Sequence, residues 1–330
     1  MSIKKRSTRV GAAVILFAVV LRLGGGLVSA SSHSLRLPEA VRTALLRWPQ
    51  GGISAAAVQV EPTPPVQNPT APAPAPVFTA ADLELVTMRY ASGCKYRPDL
   101  ETLIRAPLRW DLDCGEPTVL IVHTHGSESY TKVSGQKYSE CGNFRTRNTD
   151  YNLVAVGALL AQRLEAAGIR VIHDRTLHDD PSYNAAYSSA RKSVQRYLEE
   201  YPSIQLVLDL HRDAATYADG TQYATSVTVD GEKIAQLMLV MGTDSSGLHY
   251  PNWQENLSVS LKLLAQLEKL APKITRTTTL RSSRYNQDLH PAMLLVEVGS
   301  AGNTLAQAKA AVQILADAII QLRDGANLQT

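Results

Sequence analysis

The sequence predicts an α/β protein with a mainly parallel, twisted sheet that carries helices on both faces. Short apolar runs, such as 118–124 (TVLIVHT) and 204–211 (IQLVLDLH), alternate along the chain with longer segments of helical periodicity. Near-continuous apolar runs are typical of strands buried on both faces, which occur in parallel sheets. The alternation also places a helix between successive strands, as parallel connections require.

The first 31 residues indicate export and membrane anchoring. Lys4, Lys5, Arg6 and Arg9 precede an apolar run over 10–21, the order found in export signals. The basic flank places the N-terminus in the cytoplasm and the rest of the chain outside. We expect residues 1–31 to be an uncleaved anchor, although LVSASS at 27–32 offers an alternative cleavage site.

Residues 32–78 are predicted to be a flexible spacer. Seven prolines fall between positions 62 and 76, in the stretch EPTPPVQNPTAPAPAPVF. A segment rich in proline and alanine is extended and cannot build a core. The folded domain is therefore expected to span 79–330.

Within this domain the elements follow one another with clear stop signals. The first helix shows one apolar face and ends at Gly168, and the segment 222–242 reads as two strands about the turn dipeptide Asp230–Gly231. The last helix begins with Asn303 or Thr304 as its cap. The predicted elements are strands at 118–124, 169–174, 204–211, 222–242 (a pair) and 292–299, and helices at 152–168, 184–202, 252–270 and 303–325.

Polar side chains follow several of the predicted strands at the point where each strand ends. In a parallel sheet these ends meet at one edge, where ligands bind. Charged groups in buried strands need a compensating partner, and a divalent metal is the simplest one. The residues concerned are His123, His125, Glu128, His173, Asp174, Asp209, His211, Arg212, Asp213 and Glu297.

Zinc fits this set of residue types. A catalytic zinc site uses three protein ligands plus water, drawn from histidine and carboxylate side chains. We expect His125, Glu128 and His211 to be the ligands, and Glu297 to act as general base and then general acid. Arg212 is placed with Glu297 in the catalytic set. Alternative or supporting ligands are His123, Asp150 and Asp213, and Glu140 is a rival carboxylate.

Other classes of function have little support in the sequence. The net charge is +3 and the basic residues are dispersed beyond the N-terminal cluster, which gives no indication of nucleic-acid binding. The sequence contains neither phosphate-binding glycine motif, and Ser127 does not stand in a nucleophile elbow. Of the three cysteines, Cys94 and Cys114 either pair and leave Cys141 over, or all three are free thiols.

Five ordered blocks of the sequence resemble the stage II sporulation protein P family: IVHTHGSESY, NLVAVG, VIHDRTLHDDPSYNAAYSSA, YPSIQLVLDLHRDA and YNQDLHPAMLLVEVGSAGNTLAQA. The resemblance implies a membrane-anchored peptidoglycan hydrolase, similar to zinc-dependent N-acetylmuramoyl-L-alanine amidases. By motif, His125 and His211 correspond to the family's ligands and Glu297 to its catalytic glutamate. The third ligand does not correspond, since Asn148 stands nearest the family's carboxylate. Either Glu128 or Asp150 must replace it, and we expect Glu128.

The resemblance also implies properties that the residues themselves do not indicate. These are cleavage of peptide cross-links, a partnership with the sporulation lytic transglycosylase (stage II sporulation protein D) in the engulfment complex, and a location between the mother-cell and forespore membranes. Two alternatives stay open. One is a catalytically silent wall-binding scaffold, and the other is a zinc carboxypeptidase that acts on stem peptides.

Overall fold

The structure is a computed structural model that describes residues 78–326. The predicted anchor at 1–31 and the predicted spacer, up to residue 77, lie outside the described residues.

The core of the described region is a seven-stranded sheet with the order β1-β8-β7-β9-β4-β2-β3. Every neighbouring pair is parallel except β7 and β9, so the prediction of a mainly parallel sheet is confirmed. The strands, including a separate hairpin of β5 and β6, are β1 Met88–Tyr90, β2 Val119–Val122, β3 Val171–His173, β4 Leu206–Asp213, β5 Ser226–Val229, β6 Glu232–Ala235, β7 Leu237–Met241, β8 Thr278–Leu280 and β9 Met293–Ser300.

Helices cover both faces of this sheet, as predicted. They are α1 Leu100–Arg105, α2 Leu153–Ala166, α3 Ala186–Glu200, α4 Trp253–Leu270 and α5 Leu305–Ala326. Alternate residues of β4 divide between the faces. Leu208 and Leu210 join the large core under α2, α4 and α5, whereas Val207 packs with Ala190 and Val194 of α3. The face that carries α3 also carries Asp209 and His211.

The segment 222–242 folds into three strands, where the sequence predicted two. Asp230 and Gly231 have φ values of 48° and 82°, which suits the tight hairpin turn expected between β5 and β6. The chain then enters the main sheet as β7, antiparallel to β9. The short strands β1 and β8 and the six-residue α1 were not predicted, because three to six residues are too few to show a period.

Hydrogen bonds assign the caps of two helices, of which only the cap of α5 was predicted. Asn152 caps α2, since its side chain accepts a 3.0 Å bond from the Val154 amide. At α5 the cap is Thr304, whose hydroxyl accepts from the Gln307 amide at 3.2 Å while the Gln307 side chain accepts from the Thr304 amide at 3.1 Å. This reciprocal pair is a capping box.

Helix α5 is long and apolar enough to span a membrane by length and composition alone. Half of its most apolar window is buried inside the fold, and Val312, Leu315 and Ile319 are fully enclosed in the core. These contacts make α5 a core helix of the domain.

The three cysteines are free thiols in the structure. Cys94 is buried, whereas Cys114 and Cys141 are exposed. Of the two alternatives that the sequence left open, the structure has the unpaired one.

A buried pair joins the end of β3 to helix α3. The Asp174 carboxylate lies 3.1 Å from Nε2 of His178, and Nδ1 of His178 lies 3.0 Å from the Ser189 hydroxyl. Burial opposes ionisation of Asp174, but the bonds from His178 and Thr176 outweigh it and lower the pKa of Asp174 to about 2.

The low pKa of Asp174 predicts a pH-dependent loss of stability. A carboxyl with a lowered native pKa stabilises the fold above pH 4 and loses this contribution as the pH falls towards 2. Asp174→Asn is expected to reduce the free energy of unfolding by about 2 kcal/mol at pH 7, and the difference from wild type should shrink by pH 3. Urea denaturation at both pH values measures this. Asp111→Asn, at an exposed position, is the control, and a loss that is equal at both pH values would contradict the prediction.

Candidate functional site

The candidate site begins where the chain leaves β2. Asp209 of β4 accepts two hydrogen bonds from Thr124, from its amide at 2.8 Å and from its hydroxyl at 2.6 Å. These bonds hold the chain against β4 as it turns away from the sheet. The turn separates the two histidines of the stretch, because His123 lies under α2 while His125 lies against His211.

His125 and His211 form the centre of the site. Their ring centroids are 5.4 Å apart at an interplanar angle of 80°, and both side chains are buried. His211 stands opposite Glu297 in the parallel register of β4 and β9, which places these two side chains next to each other on one face of the sheet. Residues on or just after three neighbouring strands thus meet at the edge of the sheet where the strands end.

Burial and charge set the pKa values of these groups in different directions. Burial lowers the pKa of His125 to about 3, and the neighbouring His211 adds to this. Burial also disfavours the charged form of His211, but the Asp209 carboxylate outweighs it and raises the pKa of His211 to about 9. Burial raises the pKa of Glu297 to about 8 against the attraction of His211. Groups with strongly shifted pKa values are concentrated at functional sites.

Three polar atoms in this cluster are buried without a hydrogen-bond partner. They are Nδ1 of His125, Nε2 of His211 and Oε2 of Glu297. Nε2 of His211 lies 3.1 Å from the Asp209 carboxylate, but without hydrogen-bond geometry, so this contact is electrostatic. Buried polar atoms in native proteins are almost always satisfied, and exceptions point to a missing ion or water.

Glu128 lies beside this cluster but is bound to Arg212. One carboxylate oxygen accepts from the Arg212 amide at 3.2 Å, and the other is 3.6 Å from the guanidinium. The guanidinium also donates to the carbonyls of Ser129 and Phe144, at 3.2 and 3.1 Å. Burial raises the pKa of Glu128, although Arg212 opposes this. Arg212 therefore contacts Glu128 and the backbone of the following loop.

The other predicted residues lie at varying distances from the centre. His123 is fully buried, with Nε2 2.9 Å from Nε2 of His173. Helix α2 crosses this pair so closely that a Cβ on Gly157 would lie 2.6 Å from His123. Asp213 pairs with Arg276 at 2.7 Å. Asp150 is exposed, as is Glu140.

The residues fit zinc in the kind of donor they offer. Two histidines with unpartnered nitrogens and a nearby buried glutamate correspond to a catalytic zinc set. Between residues 78 and 326, no three His, Cys, Asp or Glu side chains are arranged closely enough to enclose a metal ion. Since both Glu128 oxygens face Arg212, a third bond from Glu128 to a metal would require its carboxylate to turn.

Aromatic and acidic neighbours of the site were not predicted as functional. Tyr183 stacks on His125 with ring centroids 4.3 Å apart, and Tyr187 lies 6.3 Å from His211. Tyr183 lies just before α3 and Tyr187 lies in its first turn. The sequence showed only a helical pattern in this region. Asp209 was noted only as a residue at a strand end. Its spacing of two from His211 was the available signal, because it places both side chains on one face of β4.

The fold and the cluster define an α/β protein of the parallel-sheet class with a buried histidine and carboxylate site on the sheet. A sequence profile of the stage II sporulation protein P (SpoIIP) family matches residues 67–320. The chain belongs to this family.

The relatives differ in how much of each chain they share. Stage II sporulation protein P of Bacillus subtilis (strain 168) is 27% identical over an alignment of 215 residues that covers 62% of this chain. The chain spans about half the length of this curated relative (50%).

Among solved structures, the N-acetylmuramyl-L-alanine amidase Ami1 of Mycobacterium smegmatis overlaps at 14% identity and a TM-score of 0.38, covering 66% of this chain and 99% of that one. The CwlD amidase of Clostridioides difficile, solved with the GerS lipoprotein, overlaps at 12% identity and a TM-score of 0.37, covering 64% and 96%. Overlaps with TM-scores this low carry no weight for the activity of the chain.

Arg212 is expected to be essential for the stability of the site region. Arg212→Ala would remove the guanidinium charge beside the buried Glu128 carboxylate and the guanidinium bonds to the carbonyls of Ser129 and Phe144. We expect the free energy of unfolding to fall by about 3 kcal/mol. Arg163→Ala is the matched control, since the Arg163–Asp317 pair has side chains that are 43% and 44% exposed. The control should change stability by less than about 0.5 kcal/mol. Equal effects in chemical denaturation would rule out this role of Arg212.

Proposed function

We propose that the chain is a zinc-dependent peptidoglycan hydrolase that cleaves the amide between the lactyl group of muramic acid and L-alanine. The observation that carries this proposal is the buried cluster of His125, His211 and Glu297, each with an unpartnered polar atom. Membership of the stage II sporulation protein P family supports the choice of substrate.

The proposed metal ligands are His125, His211 and Glu128. When bound, zinc would supply a Lewis acid and a water of lowered pKa. Asp209 would hold His211 in place through its charge, since its carboxylate lies 3.1 Å from the ring. Its bonds to Thr124 would fix the position from which His125 approaches.

Glu297 is the proposed general base and acid. Its pKa is raised to about 8 by burial, so its carboxyl exchanges a proton readily near neutral pH. A group with such a pKa can take a proton from a water nucleophile and pass it to the leaving amine. The placement of Glu297 opposite His211 puts its carboxyl beside the proposed ligands.

The wider role is proposed from the family alone. The chain would act in endospore engulfment, anchored by residues 1–31 in the cell membrane, with its domain in the space between mother cell and forespore. Its proposed partner is stage II sporulation protein D. Cleavage of peptide cross-links is proposed as a second activity of the same domain.

Digestion of purified peptidoglycan by the full 330-residue chain tests the proposed function. Mass analysis of the fragments should find free stem peptides that begin with L-alanine, together with glycan strands that have lost them. A chelator should abolish the release, and added zinc should restore it. Fragments shortened only at the D-alanine end would indicate a carboxypeptidase, and binding without any cleavage would indicate a scaffold.

A further inference from the structure

An arginine and a tyrosine cover the outer side of His125. The guanidinium carbon of Arg145 lies 3.9 Å from the centre of the Tyr183 ring. The same ring stacks on His125 at 4.3 Å and an interplanar angle of 21°. Tyr183 is 46% exposed, whereas His125 is buried. The stack of cation, phenol ring and imidazole therefore leads from the protein surface to the centre of the site.

The guanidinium of Arg145 has hydrogen-bonding capacity that the protein does not use. Its Nε is buried without a hydrogen-bond partner, and no carboxylate of the described residues lies within ion-pair distance of it. Other arginines nearby are engaged, since Arg147 binds Asp180 at 2.6 Å and Arg212 binds Glu128 and two carbonyls. An arginine has five donors in a planar fork that matches a carboxylate.

The backbone around Arg145 is held in place, so its side chain starts from a fixed point. The Arg145 amide donates to the Gly142 carbonyl at 3.2 Å, and its carbonyl accepts from the Cys141 amide at 2.9 Å. The backbone of Arg145 also forms an antiparallel β-bridge with that of Glu128, the residue three positions after His125. Stacking on Tyr183 restrains the guanidinium further, which lowers the entropic cost of binding an anion.

We propose that Arg145, supported by the Tyr183 ring, binds a carboxylate of the substrate on the stem-peptide side of the scissile amide and sets the specificity of the site for acidic stems. This inference rests on the proposed function. In a stem that begins with L-alanine and γ-linked D-glutamate, the first free carboxylate after that amide is the α-carboxyl of the D-glutamate. In amidated stems the same position is a neutral isoglutamine, so the two wall chemistries differ by one charge at the group that Arg145 would bind.

Two disaccharide-tripeptides that differ only in D-glutamate or D-isoglutamine test the proposal on the full chain. The ratio of kcat/KM for the two substrates is measured, together with the Kd of the two corresponding free tripeptides by calorimetry. We expect the wild type to prefer the acid about 10-fold in both measurements, the usual size of one charged hydrogen-bonded contact. Arg145→Gln should bring both ratios to about 1, chiefly by weakening the acid.

Matched variants separate this role from a structural one. Arg147→Gln removes a neighbouring arginine that is already paired with Asp180 and should keep the wild-type ratio. Tyr183→Phe retains the ring and should keep the ratio, whereas Tyr183→Leu should lower it.

The outcomes also separate this inference from the proposed function. Wild type that cleaves both substrates equally, or Arg145→Gln that weakens both equally, overturns the role of Arg145 and leaves the hydrolase intact. Wild type that cleaves no peptidoglycan and binds neither tripeptide overturns the proposed function and this inference with it.

Discussion

Replacement of His211 by alanine is expected to abolish hydrolysis of peptidoglycan and to reduce bound zinc from about one ion per chain to a small fraction of that. His211 offers one of the two histidine nitrogens of the proposed metal set, and its Nε2 has no hydrogen-bond partner. Two ligands hold zinc far less firmly than three, and the bound water loses its activation with the metal. Metal analysis after dialysis and fragment release from peptidoglycan are the two measurements.

The same variant should fold, which keeps the experiment informative. Asp209 would lose a charged neighbour but would keep both bonds from Thr124. His211→Gln, which fills more of the space, is a second variant in case the alanine variant is unstable. His249→Ala is the matched control because His249 is exposed. Full zinc content or full activity in both His211 variants would show that the metal assignment is wrong.

The placement of the central residues at one edge of the sheet was predictable because it follows from strand direction alone. His125, His211 and Glu297 stand at or near the ends of apolar runs, and parallel strands bring such ends to the same edge of the sheet whatever the strand order. The structure places β2, β4 and β9 side by side, and this adjacency brings the three side chains together.

The behaviour of the residues around this centre was not predictable from period or spacing. His123 and His125 would lie on the same side if β2 continued, but the strand ends at Val122 and the bonds from Thr124 to Asp209 turn the chain. The apolar run of β7 does not indicate the direction of the strand in the sheet. Its antiparallel pairing with β9 depends on the hairpin before it. Arg145 and Tyr183 meet from two separate loops, and their contact is a product of tertiary packing.

Replacement of Glu297 by glutamine is expected to lower kcat by a factor of about 10³ while leaving substrate binding and zinc content near their wild-type values. Glutamine has nearly the same shape as glutamate but cannot take a proton from water or return one to a leaving amine. The loss should therefore fall on the chemical step and not on KM. The effect should be specific to catalysis, since Oε2 of Glu297 has no hydrogen-bond partner whose loss would disturb the fold.

The contrast between the two variants distinguishes the roles proposed for the two residues. His211→Ala should lose metal and activity together, whereas Glu297→Gln should lose activity and keep its metal. Glu232→Gln, at the exposed first residue of β6, controls for the loss of one carboxylate and should match wild type in both measurements. If Glu297→Gln releases zinc, Glu297 is a ligand, and the general base must be sought among the other buried carboxylates of the site. Glu128 would then be the first candidate, because it is buried beside the same cluster and its pKa is raised.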